Sequence, residues 1–194
     1  MIEKERKVPR SILKLEALIQ RLPQGHPKSL IIMEELAKRK AGFSGEKSLD
    51  YYFSFFEGKE VSIFHDLRLK DESRYFQIDT LFLTRHYALI IEVKNLAGTL
   101  YFDPVFNQLI RTIEEKETAF PDPLIQVNRQ EHQLKNWLLK NKLPFIPIES
   151  IIVITNSQSI IRTSPNNKNL SKKIIRSENL LTKIQHIEES VKAV

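Results

Sequence analysis

Gln77-Ile78-Asp79, followed by Ala88-Leu89-Ile90-Ile91-Glu92-Val93-Lys94-Asn95, is the stretch on which the reading of this chain turns. Four consecutive apolar residues at 88–91 imply a strand buried on both faces, yet its end carries a carboxylate and an ammonium two residues apart. The period of two along a strand puts Glu92 and Lys94 on one face and Val93 on the other. With Asp79 on a neighbouring strand and pointing into the same opening, two carboxylates and one lysine meet in a cleft.

Two carboxylates, water and a main-chain carbonyl form a set of hard oxygen ligands suited to octahedral Mg²⁺ or Mn²⁺. A metal there acidifies water and offsets charge developing on a phosphodiester, while Lys94 holds that water or helps to deprotonate it. Taken singly, each element is ordinary: a Glu-x-Lys strand end is usually a solvated ion pair, and a lone aspartate often only caps a turn. Their co-occurrence gives them weight.

Working outward, the flanking sequence predicts an α/β domain of the α+β kind, with a central mixed β-sheet flanked by helices. Strands are expected at Val61 to Leu69, Tyr75 to Thr84, Ala88 to Lys94 and Gly98 to Phe102, bounded by turns such as Lys70-Asp71-Glu72-Ser73. Pro121-Asp122-Pro123 reads as a stop, an N-cap and a proline at the first helical position, opening a helix to about Asn141. On that helix Gln126, Gln130, Gln133 and Trp137 share a face. A last strand is expected at Ser150 to Thr155.

Before this core, Ile12, Leu15, Leu18, Ile19 and Leu22 recur at helical spacing up to Pro23, and Leu30 to Leu36 form a second apolar cluster, predicting two short helices. Ser44 reads as the cap of a further helix carrying Leu49, Tyr52, Phe53 and Phe56, with Glu46 in its first turn. The aromatics between 51 and 64 are expected in the core. Residues 156–170, rich in Ser and Asn, read as a loop before a short basic helix near Glu178 to Val191. The expected division is a helical, basic extension over 1–40, the domain over 41–155, and a linker with a C-terminal helix over 156–194.

The chain has 194 residues and a net charge of +6, distributed as +5 over 1–40, −3 over 41–161 and +4 over 162–194. Basic flanks around a slightly acidic middle suit an approach to a polyanion, although Lys-rich flanks are also the common solvated helix face. No cysteine is present, which excludes disulfides, thiolate metal sites and a cysteine nucleophile. The apolar runs are too short for a spanning helix, and Met1-Ile2-Glu3-Lys4-Glu5-Arg6 lacks the pattern of a secretion signal, so a cytoplasmic location without membrane contact is expected. His26, His65, His86, His132 and His186 show no ligand spacing and receive no role, and no phosphate-binding glycine loop occurs.

Gly42-x-x-Gly45-Glu46, Gln77-Ile78-Asp79, Ile91-Glu92-Val93-Lys94-Asn95 with Gly98, and Asp122-Pro123-x-x-Gln126 together resemble the nuclease-related domain, NERD. That family is similar to the PD-(D/E)xK nucleases. The resemblance covers about residues 41–155 and implies a restriction-endonuclease-like core. It further implies Asp79 and Glu92 as metal ligands, Glu46 as an additional carboxylate from the first helix that joins them at the metal, Lys94 as the catalytic lysine, and Gln126 as a polar residue facing the site. Asp122 stands where the family commonly has Asn, and Thr80 where it often has His. The expected activity is Mg²⁺- or Mn²⁺-dependent hydrolysis of DNA, with RNA as the other candidate, in DNA processing, repair or defence. The alternatives are a non-catalytic nucleic-acid-binding module retaining the nuclease fold, or an interaction module whose residues 1–40 dock on a helical partner or a second copy.

Overall fold

The computed structural model describes residues 1–72, 74–165 and 170–192. In chain order the elements are β1 (Ile2–Lys4), α1 (Arg10–Arg21), α2 (Ser29–Ser48), α3 (Asp50–Ser54), β2 (Ser62–Asp71), β3 (Arg74–Leu83), β4 (Ala88–Lys94), β5 (Thr99–Asp103), β6 (Gln108–Ile113), β7 (Lys116–Pro121), α4 (Pro123–Lys140), β8 (Ile148–Ile154), β9 (Ile160–Thr163), α5 (Leu170–Lys173), β10 (Ile174–Arg176) and α6 (Leu180–Lys192). The main sheet has the order β1-β2-β3-β4-β8-β10, and a smaller one the order β7-β6-β5-β9. Both are mixed: β2, β3 and β4 run antiparallel, whereas β1, β8 and β10 join their neighbours in parallel. This is the expected mixed-sheet α/β architecture.

Every residue of β4 up to Val93 is buried, because helices cover both faces of the sheet. Leu89, Ile91 and Val93 pack with Leu49 and Phe53 from the α2–α3 side and with Leu180, Ile184 and Ile187 of α6. Ile90 and Ala88 face Leu134, Trp137 and Leu138 of α4. Each such aliphatic side chain contributes roughly 1.5–3 kcal/mol by leaving water. The proline–aspartate signal before α4 does what its chemistry predicts: Asp122 Oδ1 accepts from Leu124 N at 2.8 Å, with Pro123 in the first turn.

Several expectations need correction. The second helix is not short, and Ser44 caps nothing: α2 runs unbroken from Ser29 to Ser48 and crosses the 40/41 boundary. Gly45 allows close contact, since a Cβ there would lie 2.4 Å from Asn95 Cβ and 2.8 Å from Thr155 Oγ1. Asn95 secures the same junction by donating to Ala41 O at 2.8 Å. Strands β1, β6, β7, β9 and β10 were not expected, and β9 lies inside the predicted 156–170 loop. The loop positions 166–169, and Ser73 of the predicted turn, lie outside the described residues. Of the aromatics assigned to the core, Phe53 is buried, but Tyr51 and Phe55 are 67% and 50% exposed and pack edge-on against each other.

Candidate active site

The site arises where two paired strands separate. The β3–β4 ladder ends at the pair Thr80↔Ile91, so the next residues, Asp79 and Glu92, are not bridged by the backbone. Asp79 fills the gap with its side chain, Oδ2 accepting from Val93 N at 3.1 Å. On the other flank the β2–β3 ladder steps from His65↔Thr80 to Leu67↔Ile78, and Asp66 between them has φ 48°, a left-handed conformation uncommon for a non-glycine residue. Across this irregularity the strand changes the face it buries: Ile78 and Phe76 pack toward α4, whereas Phe82 packs toward the α2 side. Asp79 sits at that switch.

Glu92 and Lys94 project together, as strand periodicity requires. Lys94 Nζ donates to Glu92 Oε1 at 2.7 Å and to Gln126 Oε1 at 3.1 Å. Glu92 is only 3% exposed, and its second oxygen accepts from Gln130 Nε2 at 3.1 Å. Gln130 Nε2 also donates to Gln77 O at 3.0 Å, while Gln130 Oε1 is buried without a partner. The glutamine face of α4 is thus turned into the cleft. Burial pushes the Asp79 carboxyl up to about 8, reinforced by the nearby charges of Glu92 and Glu46 and opposed by the Val93 N–H and Lys94.

Glu46 approaches from the other side of the sheet, on the last turns of α2. Burial raises its carboxyl above the usual range, and the Arg6 guanidinium pulls the other way. Arg6 Nη1 donates to Glu46 Oε2 at 2.7 Å and Nε to Asp50 Oδ1 at 3.3 Å, while Nη2 lies 2.9 Å from His65 Nδ1 and 3.4 Å from Thr80 Oγ1. A guanidinium only donates, so His65 Nδ1 accepts and the neutral ring carries its proton on Nε2. Burial, with Arg6 and Lys4 nearby, lowers the His65 ring to about 4.

The structure therefore brings Asp79, Glu92, Lys94 and Gln126 together, and sets Glu46 within electrostatic reach but bound to Arg6. Among the described residues no group of three or more His, Cys, Asp or Glu side chains is arranged to hold a metal ion. Three contributors escaped the sequence reading. Arg6 and His65 carry no local signal, and Gln130 was placed on the right helix face without a partner being assigned.

A family model described as the nuclease-related domain, NERD, matches residues 41–155, which takes in every site residue above except Arg6. No curated protein and no solved structure matches the chain. Among the described residues no helix is long and apolar enough to cross a membrane. With more than half of its length matched, and with the carboxylates and lysine of its two central motifs meeting in one cleft, the chain belongs to the nuclease-related domain family.

Proposed function

We propose that this chain is a metal-dependent phosphodiesterase acting on DNA, with RNA as the alternative substrate. The observation that carries the reading is the convergence of Asp79, Glu92 and Lys94 at the point where β3 and β4 part. The donor set fits Mg²⁺ or Mn²⁺. Asp79 and Glu92 offer hard oxygens, and their mutual repulsion in a buried setting, which raises the Asp79 carboxyl, is what a divalent cation relieves. The buried, unpartnered Gln130 Oε1 beside Glu92 is a ready acceptor for a water in the cleft.

In this reading Asp79 and Glu92 hold the ion, and Glu46 is an auxiliary carboxylate. When bound, the ion supplies Lewis acidity toward the phosphodiester and lowers the pKa of water. Lys94, aimed by Glu92 and Gln126, places an ammonium where it can hold a phosphate oxygen or the attacking water. Gln130 fixes the orientation of Glu92 through its second oxygen. Gln126 and Gln130 line one wall with amide groups suited to phosphate and sugar oxygens.

The test is to titrate Mg²⁺ and Mn²⁺ into wild type and Asp79→Ala, then to incubate both with single-stranded, duplex and branched DNA. Metal-dependent cleavage by wild type alone supports the proposal. Full cleavage by Asp79→Ala overturns it, and DNA binding that persists in EDTA with no cleavage under either metal points instead to a non-catalytic binding module.

A further inference from the structure

Arg6 reaches the site from the segment between β1 and α1. β1 borders only β2, all three of its residues are exposed, and no regular structure follows until α1. Even so, the Arg6 side chain is only 4% exposed, and its guanidinium spans α2, α3, β2 and β3 through Glu46, Asp50, His65 and Thr80. Removing a guanidinium from water costs several kcal/mol unless acidic partners compensate it. The nearest of those partners is the auxiliary carboxylate of the candidate site, at 2.7 Å. Arg6 itself lies outside the matched residues 41–155.

We propose that Arg6 is a positioning residue that withholds Glu46 from the metal. With Arg6 in place, Asp79 and Glu92 are the carboxylates left to bind a cation; with Arg6 removed, Glu46 becomes a third. This rests on the metal-dependent reading above. Two observations support it. Arg6 bridges Glu46 to Thr80, the residue after Asp79, and Gly45 lies against Asn95 at the end of the strand that carries Glu92, so Glu46 stands beside the same strand ends as the other two carboxylates. Among the described residues no three acidic groups are arranged to hold a metal ion, and Glu46 Oε2 is engaged by Arg6 Nη1 at 2.7 Å. Removing a positive charge beside a divalent ion and freeing a carboxylate for it act in the same direction.

The experiment is isothermal titration of Mn²⁺ alone into the full chain as wild type, Arg6→Gln, Glu46→Gln and the double variant, with circular dichroism melts to establish folding. Arg6→Gln is expected to bind Mn²⁺ at least about tenfold tighter, and the double variant to give up most of that gain. Unchanged or weaker binding by folded Arg6→Gln, beside a wild type that binds, overturns the inference alone; so does a gain that survives in the double variant. If Arg6→Gln does not fold, Arg6→Lys takes its place. A single ammonium keeps the charge but cannot hold Glu46 and Asp50 in one fork, so tighter binding is again expected, by a smaller factor, and its absence overturns the inference. Failure of every form to bind Mn²⁺ overturns the metal reading and this inference with it.

Discussion

The two sides of the main sheet build their parts of the site in different ways. On the α4 side, Glu92 and Lys94 share a strand face, Gln126 and Gln130 share a helix face, and each joins a hydrogen bond across the narrow gap between strand and helix. On the α2 side, Glu46, Asp50, His65 and Thr80 come from four elements, and the group common to them is the guanidinium of Arg6. The first arrangement follows from the periods of a strand and a helix packed together. The second depends on a single side chain brought from far away in sequence, so one substitution can dismantle it.

This contrast can be tested most severely at Lys94. Lys94→Ala should lower the rate of DNA cleavage about a thousandfold with the melting temperature little changed, since the residue sits at the strand end and not in the packed layer. Cleavage assays paired with thermal melts check both parts. A smaller loss, roughly ten- to hundredfold in cleavage rate or Mn²⁺ affinity, is expected for Gln130→Ala, because it acts through the orientation of Glu92. If Gln130→Ala equals Lys94→Ala, the glutamine does more than orient a carboxylate.

Gly45→Ala addresses the junction of the two sides. The added methyl would meet Asn95 Cβ and Thr155 Oγ1, and about 1–3 kcal/mol of stability should be lost in a denaturant titration. No change would mean that α2 can back away from the end of β4 without cost.

The smallest effects concern pH, and the two sides oppose each other. The Asp79 carboxyl is raised from 3.8 to about 8, so its contribution to stability is present in full below about 4 and is lost as pH rises through about 8. The His65 ring is lowered from 6.5 to about 4, so its contribution is present above about 6.5 and is lost as pH falls through about 4. In metal-free protein, Asp79→Asn should therefore remove a decline in stability that runs from about pH 4 to about pH 8, and His65→Gln should remove the rise that opposes it between about pH 4 and 6.5. Thermal melts across pH 4–9 separate the two, and parallel profiles for all three proteins would remove the contrast.

The same contrast explains what could be seen in the sequence. The apolar run at 88–91, the Glu-x-Lys end and the Asp122-Pro123 helix start are local patterns whose geometry follows from the period of one element, and they led directly to the α4 side. The β6–β7 hairpin was hidden because its turn is made by Glu114 and Glu115, both with positive φ, where a glycine or asparagine would have announced it. β9 was masked by the Ser- and Asn-rich composition around Ile160-Ile161. Ser44 read as the start of a new helix, whereas α2 continues through Gly42 and Gly45 and uses the second for close contact. No local pattern marks Arg6, because its partners lie 40 to 74 positions away and only the folded chain collects them.

The pinned end of α2 also has a mechanical consequence. A helix of twenty residues is about 30 Å long, and this one is fastened at Gly45, one residue from Glu46, while Leu30 and Ile31 at its far end stand exposed beside α1. The helix is a lever whose fulcrum adjoins the auxiliary carboxylate. A load on the α1–α2 hairpin is delivered to the cleft as rotation rather than displacement: a tilt of about 10° carries the Leu30 end through roughly 4 Å, but shifts the backbone of Glu46 by only a few tenths of an ångström.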